Sequence, residues 1–333
     1  MAFGGWKKEK LTLPDGNVVE ASCPVIISAS RATDIPAYFS TWFRNRLEAG
    51  YMRWKNPFNA NQVQYVSFSR TRVIVFWSKN PKPLLRYLPQ IDEAGINYYF
   101  QFTLNDYEAE GLEPNVAPLS KRIEIFKRLS DKLGSERVIW RFDPLILSDS
   151  LTVDELLCRI ERVASQLHGH TKKLVISFAD INMYKKVRNN LARQPYEYRE
   201  FSPELMVSFA KQLNDLNKSW GFDIATCAEK VDLEPFGIKH NRCIDDDLMV
   251  ELFPDDTKLM SFLGHEPDLF GNSSRLYLKD KGQRKECGCI FSKDIGMYNT
   301  CNHLCAYCYA NTSPTAVENN RRKHRPESDA IIV

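Results

Sequence analysis

Short runs of consecutive apolar residues alternate along this chain with amphipathic stretches. We predict strands over residues 25–28, 73–77, 98–103, 137–142, 173–178 and 222–226. Continuous apolar runs are typical of strands covered on both faces, as in parallel sheets. Apolar residues recur with helical spacing over residues 37–49, 119–133, 152–167 and 202–220. Ser120, Thr152 and Ser202 are predicted to be the N-caps of the last three of these helices.

Alternating strands and helices predict an α/β protein built on a parallel sheet. At least six such units follow one another without an obvious break, which favours a parallel (β/α) barrel or partial barrel over an open sheet. We therefore predict a barrel-like domain over residues 1–282 and a cysteine-rich segment over residues 283–333, packed on the mouth of the barrel.

Composition narrows the class of protein. The chain has 333 residues, of which 43% are hydrophobic and 26% charged, which excludes a disordered or collagen-like chain. Forty-five Lys and Arg against 42 Asp and Glu leave a net charge of +3, too even to indicate a nucleic-acid or membrane-surface partner. No apolar run approaches the roughly 20 residues of a membrane span. The N-terminal residues show no apolar signal core, so we expect a cytoplasmic protein with reduced cysteines.

Charged side chains occur at the carboxyl ends of the predicted strands, where parallel α/β folds build their active sites. Arg31, Lys79, Arg141 and Glu229 have neighbours that look buried, and buried charges need partners. We take these four as the candidate catalytic residues and predict that at least two of them contact substrate or cofactor. For Asp34, Asn80 and Asp180, capping of a following helix or loop is an equal alternative.

Five of the nine cysteines lie within 22 residues near the C-terminus. Cys301, Cys305 and Cys308 have the spacing C-x3-C-x2-C. Three thiolates on one short loop can hold three irons of a [4Fe–4S] cluster. The fourth iron is then open to a substrate or cofactor.

This spacing resembles the signature of the radical S-adenosylmethionine enzymes, with Tyr307 at the aromatic position before the last cysteine. The resemblance implies that the open iron chelates S-adenosylmethionine and that Tyr307 lies beside its adenine. The run from Cys308 to Asn311 is similar to that of radical enzymes related to spore photoproduct lyase, which makes Asn311 a second predicted cofactor-binding residue.

The whole chain resembles an uncharacterised bacterial family, a domain of unknown function. Its members share the segment Ser-Arg-x-Thr-Asp-Ile-Pro, here residues 30–36, and a radical-S-adenosylmethionine-like cysteine cluster at the C-terminus. In the radical superfamily the cysteine motif follows the first strand of the barrel. A circular permutation of that barrel would reconcile the order if a strand over residues 291–298 lay beside the first strand.

Several alternatives remain open at the level of the sequence. Cys287 and Cys289 could supply a fourth ligand and close the cluster, bind a second metal, form a redox pair, or be buried. Gly288 is expected to bend the backbone so that both sulfurs face one metal. Zinc could replace iron, since four of these five cysteines suffice for a tetrahedral site. His303 is an alternative ligand, and Cys227 could face the site.

The sequence therefore predicts a radical enzyme that uses a [4Fe–4S] cluster and S-adenosylmethionine to generate a 5′-deoxyadenosyl radical. The expected partners are a small-molecule or nucleic-acid-derived substrate and an electron donor such as flavodoxin or ferredoxin, without a membrane. The rival functions are an electron-transfer or sensing protein with a closed iron–sulfur cluster and a zinc-stapled barrel. Cys23 and Cys158 are expected to be small buried side chains.

Overall fold

The computed structural model describes residues 3–56, 59–265 and 278–333. Its strands are β1 (Lys7–Thr12), β2 (Val18–Cys23), β3 (Ile26–Ala29), β4 (Tyr51–Asn56), β5 (Asn59–Ser67), β6 (Val73–Ser78), β7 (Asn97–Thr103), β8 (Val138–Leu145), β9 (Leu147–Ser148), β10 (Lys173–Phe178), β11 (Tyr198–Arg199), β12 (Asp223–Thr226), β13 (Lys239–His240) and β14 (Lys293–Asp294). Its helices are α1 (Ile35–Tyr38), α2 (Ser40–Ala49), α3 (Leu88–Glu93), α4 (Leu119–Leu133), α5 (Val153–Leu167), α6 (Lys185–Leu191), α7 (Pro203–Asn217), α8 (Asp246–Leu252), α9 (Thr257–Leu263) and α10 (Pro314–Lys323).

Eight strands form one parallel sheet in the order β13-β12-β10-β8-β7-β6-β3-β14. All six predicted strands lie in it, so the α/β class is confirmed. The pairing seen among the described residues ends at β13 on one side and β14 on the other. Closure of this sheet into a barrel therefore stays a prediction. Along the chain, β3 is the first strand of this sheet and β14 is the last. The two do lie side by side, as Lys293 pairs with Ile27 and Asp294 with Ser28.

A smaller four-stranded sheet was not predicted. Its order is β1-β2-β5-β4, with β2 and β5 parallel and the other neighbours antiparallel. Exposed charged residues interrupt β1 and β2, which lack a continuous apolar run. A two-stranded pair, β9 with β11, completes the described strands.

Most of the predicted helix boundaries are confirmed by their capping. The side chain of Thr152 accepts a hydrogen bond from Glu155 N at the start of α5, and that of Ser202 accepts one from Leu205 N at the start of α7. The prediction for Ser120 is wrong, because α4 begins at Leu119 after Pro118, which has no side-chain acceptor. The predicted helix over residues 37–49 is broken near Phe39 into α1 and α2.

Apolar side chains cover both faces of the large sheet. One core contains Ile27, Ile74, Phe100, Trp140 and Leu174 together with residues of the helices. Neighbouring positions of the same strands, including Ile26, Val73, Tyr99, Ile139 and Val175, belong to a second core on the other face. Full burial of such a side chain stabilises the fold by about 1.5–3 kcal/mol. The continuous apolar runs in the sequence reflect this double burial.

The C-terminal tail packs against the first part of the chain. Trp42 Nε1 donates to Ser328 O over 3.0 Å, and Arg53 pairs with Asp329 at 2.9 Å. Within the described residues, no helix is both long enough and apolar enough to span a bilayer.

Candidate functional site

A loop that follows β14 delivers the cysteine motif to the carboxyl edge of the large sheet. The junction is made by Asp294, whose carboxylate accepts hydrogen bonds from Ser28 Oγ at 2.9 Å, from Ser30 Oγ at 2.5 Å and from Arg31 N at 3.0 Å. Since β14 has only two residues, these side-chain bonds supply much of its attachment to β3.

The segment after β7 holds the cysteine loop from the other side. Ala306 N donates to Leu112 O at 2.9 Å, and Asn115 N donates to His303 O at 3.3 Å. Asn115 Nδ2 also donates to Asn302 O at 2.9 Å. Backbone contacts of this kind fix the path of the loop between its cysteines.

His303 lies inside the loop with both ring nitrogens in contact with protein partners. Nε2 is 2.6 Å from Asp34 Oδ2, and Nδ1 is 3.0 Å from the Tyr38 hydroxyl. Asp34 in turn caps α1 at Ala37 N and accepts from Ser78 Oγ at 2.7 Å. His303 therefore positions the loop, and neither nitrogen is free to bind a metal in this arrangement.

Among the cysteines of the loop, Cys305 is buried, and Cys301 and Cys308 are half-buried. Burial raises the pKa of Cys301 to about 12 and raises the pKa values of Cys305 and Cys308. Cys305 interacts electrostatically with both other thiols and with Lys79. Among residues 3–56, 59–265 and 278–333, only Asp245, Asp246 and Asp247 bring three potential ligand atoms within 4.8 Å of one another.

The distances among the sulfurs of the cysteine loop bear on the choice between zinc and iron. Four sulfurs around one zinc, each at about 2.3 Å from the metal, are about 3.8 Å apart. In a cubane each cysteine binds a different iron, so its sulfurs are farther apart. The sulfurs of Cys301, Cys305 and Cys308 are not all within 4.8 Å of one another, which is farther apart than ligands of a single zinc ion would be.

A buried charge network lies under the loop. Lys79 Nζ donates to Glu113 Oε1 at 2.7 Å and to the Tyr307 hydroxyl at 2.9 Å, and the Tyr307 hydroxyl itself donates to Glu113. Asn105 Nδ2 donates to Glu113 Oε1 at 3.1 Å. Arg122 Nη1 lies 3.6 Å from the other carboxylate oxygen of Glu113, Oε2. Burial acts to raise the pKa of Glu113, but the charges of Lys79 and Arg122 bring it below its ordinary value.

Of the two predicted cofactor-binding residues, Tyr307 lies between Cys305 and Cys308, and Asn311 follows Cys308 by three positions. Tyr307 joins the Lys79 network. Asn311 Nδ2 donates to Cys301 O at 2.8 Å, whereas its Oδ1 is buried without a hydrogen-bond partner in the described part of the chain. Asn311 and Cys305 line a cleft of about 190 Å³. An unpaired buried acceptor beside a cleft indicates room for a ligand that donates to it.

Arg31 and Arg141 meet at a different place on the same edge. Their guanidinium carbons lie 5.4 and 5.2 Å from the centroid of the Trp77 ring. Arg141 also pairs with Asp143 and donates to Gln101 Oε1 at 3.1 Å. Arg31 Nη2 is buried and finds no hydrogen-bond partner among the described residues.

The four charged residues predicted at the strand ends are thus divided among three places. Lys79 lies beneath the cysteine loop, and Arg31 and Arg141 lie at Trp77. Glu229 accepts hydrogen bonds from Lys230 N at 2.7 Å and Val231 N at 3.3 Å, so its carboxylate orders its own loop.

Sequence reasoning missed Glu113 and Asn105, which lie in the segment after β7. The only signal was their position downstream of a predicted strand. Asp34 caps α1, which is the alternative that the sequence left open for this residue. Asp180 pairs with Arg284. Cys23 is buried as predicted, but Cys158 is exposed because it lies on the outer side of α5.

Cys287 and Cys289 lie with Cys227 and Cys243. Cys289 Sγ accepts from Cys243 N at 3.3 Å, and the sulfurs of Cys227 and Cys243 are 3.5 Å apart. Gly288 does not have a positive φ. Its missing side chain matters instead because a Cβ would lie 2.6 Å from Arg242 Cγ.

Comparisons with known proteins give one informative match. A family model described as a domain of unknown function (DUF1848) matches residues 26–310. No curated protein matches the sequence. The crystal structure of a candidate alpha-L-fucosidase from Bacteroides thetaiotaomicron is 11% identical, with 59% of this chain and 74% of that chain covered and a TM-score of 0.25. At that TM-score, the likeness bears on neither fold nor function.

Proposed function

This chain belongs to the DUF1848 family of domains of unknown function, and we propose that it is an iron–sulfur enzyme of the radical S-adenosylmethionine type. The membership confirms the resemblance to an uncharacterised family of domains of unknown function, while the resemblance to radical enzymes is part of the proposal. The family name assigns no reaction, so the proposal depends on the chemistry of the cysteine loop.

The observation that carries the proposal is the placement of three thiols, one buried and two half-buried, over the carboxyl edge of a parallel sheet, beside a cleft with an unpaired acceptor. Thiolates are the usual protein ligands of iron–sulfur clusters, and soft donors select zinc or iron–sulfur over harder metals. The three loop sulfurs are farther apart than the ligands of a single zinc, and their C-x3-C-x2-C spacing in the sequence is the reason for proposing a cluster. Cys301, Cys305 and Cys308 would hold three irons.

When bound, such a cluster supplies one electron for the reductive cleavage of S-adenosylmethionine to a 5′-deoxyadenosyl radical. The role of this chain's own residues is to bind and orient the cofactor and the substrate. Tyr307 presents its ring beside the loop, while its hydroxyl is fixed by Lys79 and Glu113. Asn311 offers its free Oδ1 to a donor group in the cleft. Arg31 and Arg141 present cationic groups to an anionic part of a substrate.

The surrounding residues also protect the site. Trp77, near the end of β6, is half-buried and its ring lies against Arg31 and Arg141. A site with apolar walls excludes water from reactive intermediates. The proposed electron donor is a small redox protein of the flavodoxin or ferredoxin kind, and the substrate is a small molecule or a nucleic-acid derivative.

The test begins with protein purified without oxygen, in which iron, sulfide and zinc are measured. We expect iron and sulfide in equal amounts, and release of 5′-deoxyadenosine from S-adenosylmethionine after reduction. Replacing Cys301, Cys305 or Cys308 with Ala should abolish both. Cys158→Ala is the matched control, because this exposed cysteine lies on α5.

Two results would contradict the proposal. Iron-free protein with stoichiometric zinc in the loop would establish the zinc-stapled alternative. Loss of the loop cluster on replacing Cys287 or Cys289 would show a fourth thiolate ligand, and hence a closed cluster suited to electron transfer or sensing.

A further inference from the structure

Two cysteines from neighbouring strand ends lie side by side at the carboxyl edge of the large sheet. Cys227 directly follows β12, and Cys243 follows β13 by three positions. The two strands are hydrogen-bonded neighbours, and the sulfurs of the two cysteines are 3.5 Å apart. Both residues are free thiols in this structure, and neither belongs to the cysteine loop.

Backbone hydrogen bonds hold both cysteines in place. Cys227 N donates to Ile176 O of β10 at 2.9 Å. Cys243 O accepts from the Tyr99 hydroxyl at 2.8 Å and from Gln101 Nε2 at 3.0 Å. A disulfide bond is about 2.0 Å long, so closing one from this arrangement requires the sulfurs to approach by about 1.5 Å, which is within the reach of side-chain rotation.

The two sulfurs differ in their exposure to solvent. Cys227 is half-buried, whereas Cys243 is only 2% exposed. A reagent from solvent can therefore reach Cys227 but not Cys243. This asymmetry suits thiol–disulfide exchange, in which one cysteine reacts with the outside through a mixed disulfide and a second cysteine then resolves it.

Hydrogen bonding favours the thiolate form of Cys227. The contact with Cys243 lowers the pKa of Cys227 to about 7 and raises the pKa of Cys243, so the Cys243 thiol donates to the Cys227 thiolate. Burial opposes the shift at Cys227, and the charge of Arg141 adds to it. The thiolate is the nucleophilic form of cysteine, and an attacking thiol is most effective when its pKa lies near the ambient pH.

Two nitrogen donors point at the sulfur of Cys243. Arg141 Nη1 and Asn241 Nδ2 each lie 3.0 Å from it. While Cys243 is a thiol, these are weak hydrogen bonds. Once Cys227 has reacted, Cys243 must lose its proton in order to attack, and the same two donors then stabilise its thiolate through charge-assisted hydrogen bonds. Each sulfur is thus surrounded by the groups that its own step needs.

We propose that Cys227 and Cys243 are a redox-active pair that exchanges two electrons with a low-molecular-weight disulfide. The Cys227 thiolate attacks one sulfur of the disulfide, which forms a mixed disulfide and releases one thiolate. The Cys243 thiol passes its proton to this thiolate, and its sulfur then attacks Cys227, which forms the Cys227–Cys243 bond and releases the second thiolate. The two cysteines lose two electrons and the small disulfide gains them. A small dithiol reverses both steps.

The burial of the pair favours a small partner over a protein. Exchange between two proteins needs a protruding sulfur, whereas Cys227 is half-buried and Cys243 is buried. Disulfides in reducing compartments are usually transient and serve catalysis or redox sensing, which agrees with a reversible pair. The proposal does not depend on the cysteine loop or on S-adenosylmethionine, so it and the proposed radical chemistry can fail separately.

The experiment uses the full chain, purified without oxygen and incubated with glutathione disulfide and glutathione in a series of ratios. After the remaining thiols are alkylated, peptide mapping by mass spectrometry should find a Cys227–Cys243 linkage that increases with the share of disulfide and disappears with dithiothreitol. Cys243→Ser should leave glutathione attached to Cys227, whereas Cys227→Ser should leave Cys243 unmodified. Cys158→Ser is the matched control and should not change the linkage, because this exposed cysteine lies on α5.

A second measurement needs no variant of the pair. Phenylarsine oxide, which bridges two adjacent sulfurs, should bind the wild-type chain and prevent the Cys227–Cys243 linkage. The exposed Cys158 reports whether the oxidant has acted. If Cys158 carries glutathione while Cys227 and Cys243 stay unlinked, the proposal is overturned. A linkage from Cys243 to Cys289, whose sulfur lies 3.3 Å from Cys243 N, would overturn it as well.

Discussion

Removing the charge of Glu113 is the sharpest single perturbation of the cysteine-loop site. Its side chain is 4% exposed and pairs with Lys79, which is 13% exposed, and with Arg122, which is 1% exposed. Its carboxylate also accepts hydrogen bonds from Tyr307 and Asn105. Glu113→Gln keeps the size of the side chain but leaves two buried cations without their anion.

Breaking a buried ion pair by neutralising one partner costs about 3–5 kcal/mol. We expect Glu113→Gln to lose stability in this range at pH 7, measured by urea unfolding. Because the pKa of Glu113 is lowered in the fold, its stabilising contribution is fully present above the ordinary pKa of glutamate, about 4.3. It is lost as the pH falls through the lowered value, so the difference between wild type and variant should shrink in acid.

The same change should alter a bound cluster. Without Glu113, the charge of Lys79 near Cys305 is no longer offset, and a more positive surrounding stabilises the reduced cluster. The midpoint potential should therefore rise, as measured by electron paramagnetic resonance during anaerobic redox titration.

Glu110→Gln is the matched control. Glu110 is equally buried, with a side chain that is 3% exposed, but its carboxylate faces Arg159 on α5 at 2.8 Å. We expect a similar loss of stability and an unchanged potential. The reasoning fails if Glu113→Gln costs less than about 1 kcal/mol, a value typical of exposed pairs, or if both variants shift the potential equally.

Two further changes test the junction between the first and last strands of the sheet. Asp294→Asn should lower the free energy of unfolding by about 1.5–3 kcal/mol, as expected for hydrogen bonds to a charged group. The control Glu20→Gln removes a charge from an exposed pair and should lower it by less than about 1 kcal/mol. Equal losses for the two variants in urea titrations would contradict this prediction. Gly296→Ala places a Cβ 1.9 Å from Ser30 Oγ, so thermal unfolding should show a loss of about 1–3 kcal/mol from overpacking. The control Gly4→Ala places its Cβ in open space and should leave the stability unchanged. A Gly296→Ala variant as stable as wild type would refute the close approach of Gly296 to Ser30.

The parts of the fold that could be predicted are those with a local signal. The strand over residues 173–178 coincides with β10, and the helix over residues 119–133 coincides with α4. Each has an apolar pattern set by its own burial, on two faces for the strand and on one stripe for the helix. The small four-stranded sheet has no such pattern in its first strand, because the side chains of β1 are exposed or half-buried.

The candidate site could be predicted only in part, for a different reason. Cys301, Cys305 and Cys308 are close in sequence, so their spacing alone indicates shared chemistry. Cys227 and Cys243 come together because β12 and β13 are neighbours in the sheet, and β13 is too short to leave an apolar run. Glu113 reaches Lys79 through a loop whose path is fixed by contacts with the cysteine loop itself, which no local pattern reports.

The position of the cysteine motif at the end of the chain becomes physically reasonable in this topology. A parallel sheet brings together the carboxyl ends of neighbouring strands whatever their order in the sequence, so an edge strand can deliver a loop from either terminus. Here β14 contributes only two residues of pairing to β3, and Asp294 supplies side-chain bonds to Ser28 and Ser30 in compensation. The order of the chain therefore imposes no obstacle to a radical-type site, and the circular permutation becomes a question about evolutionary history, separate from the chemistry.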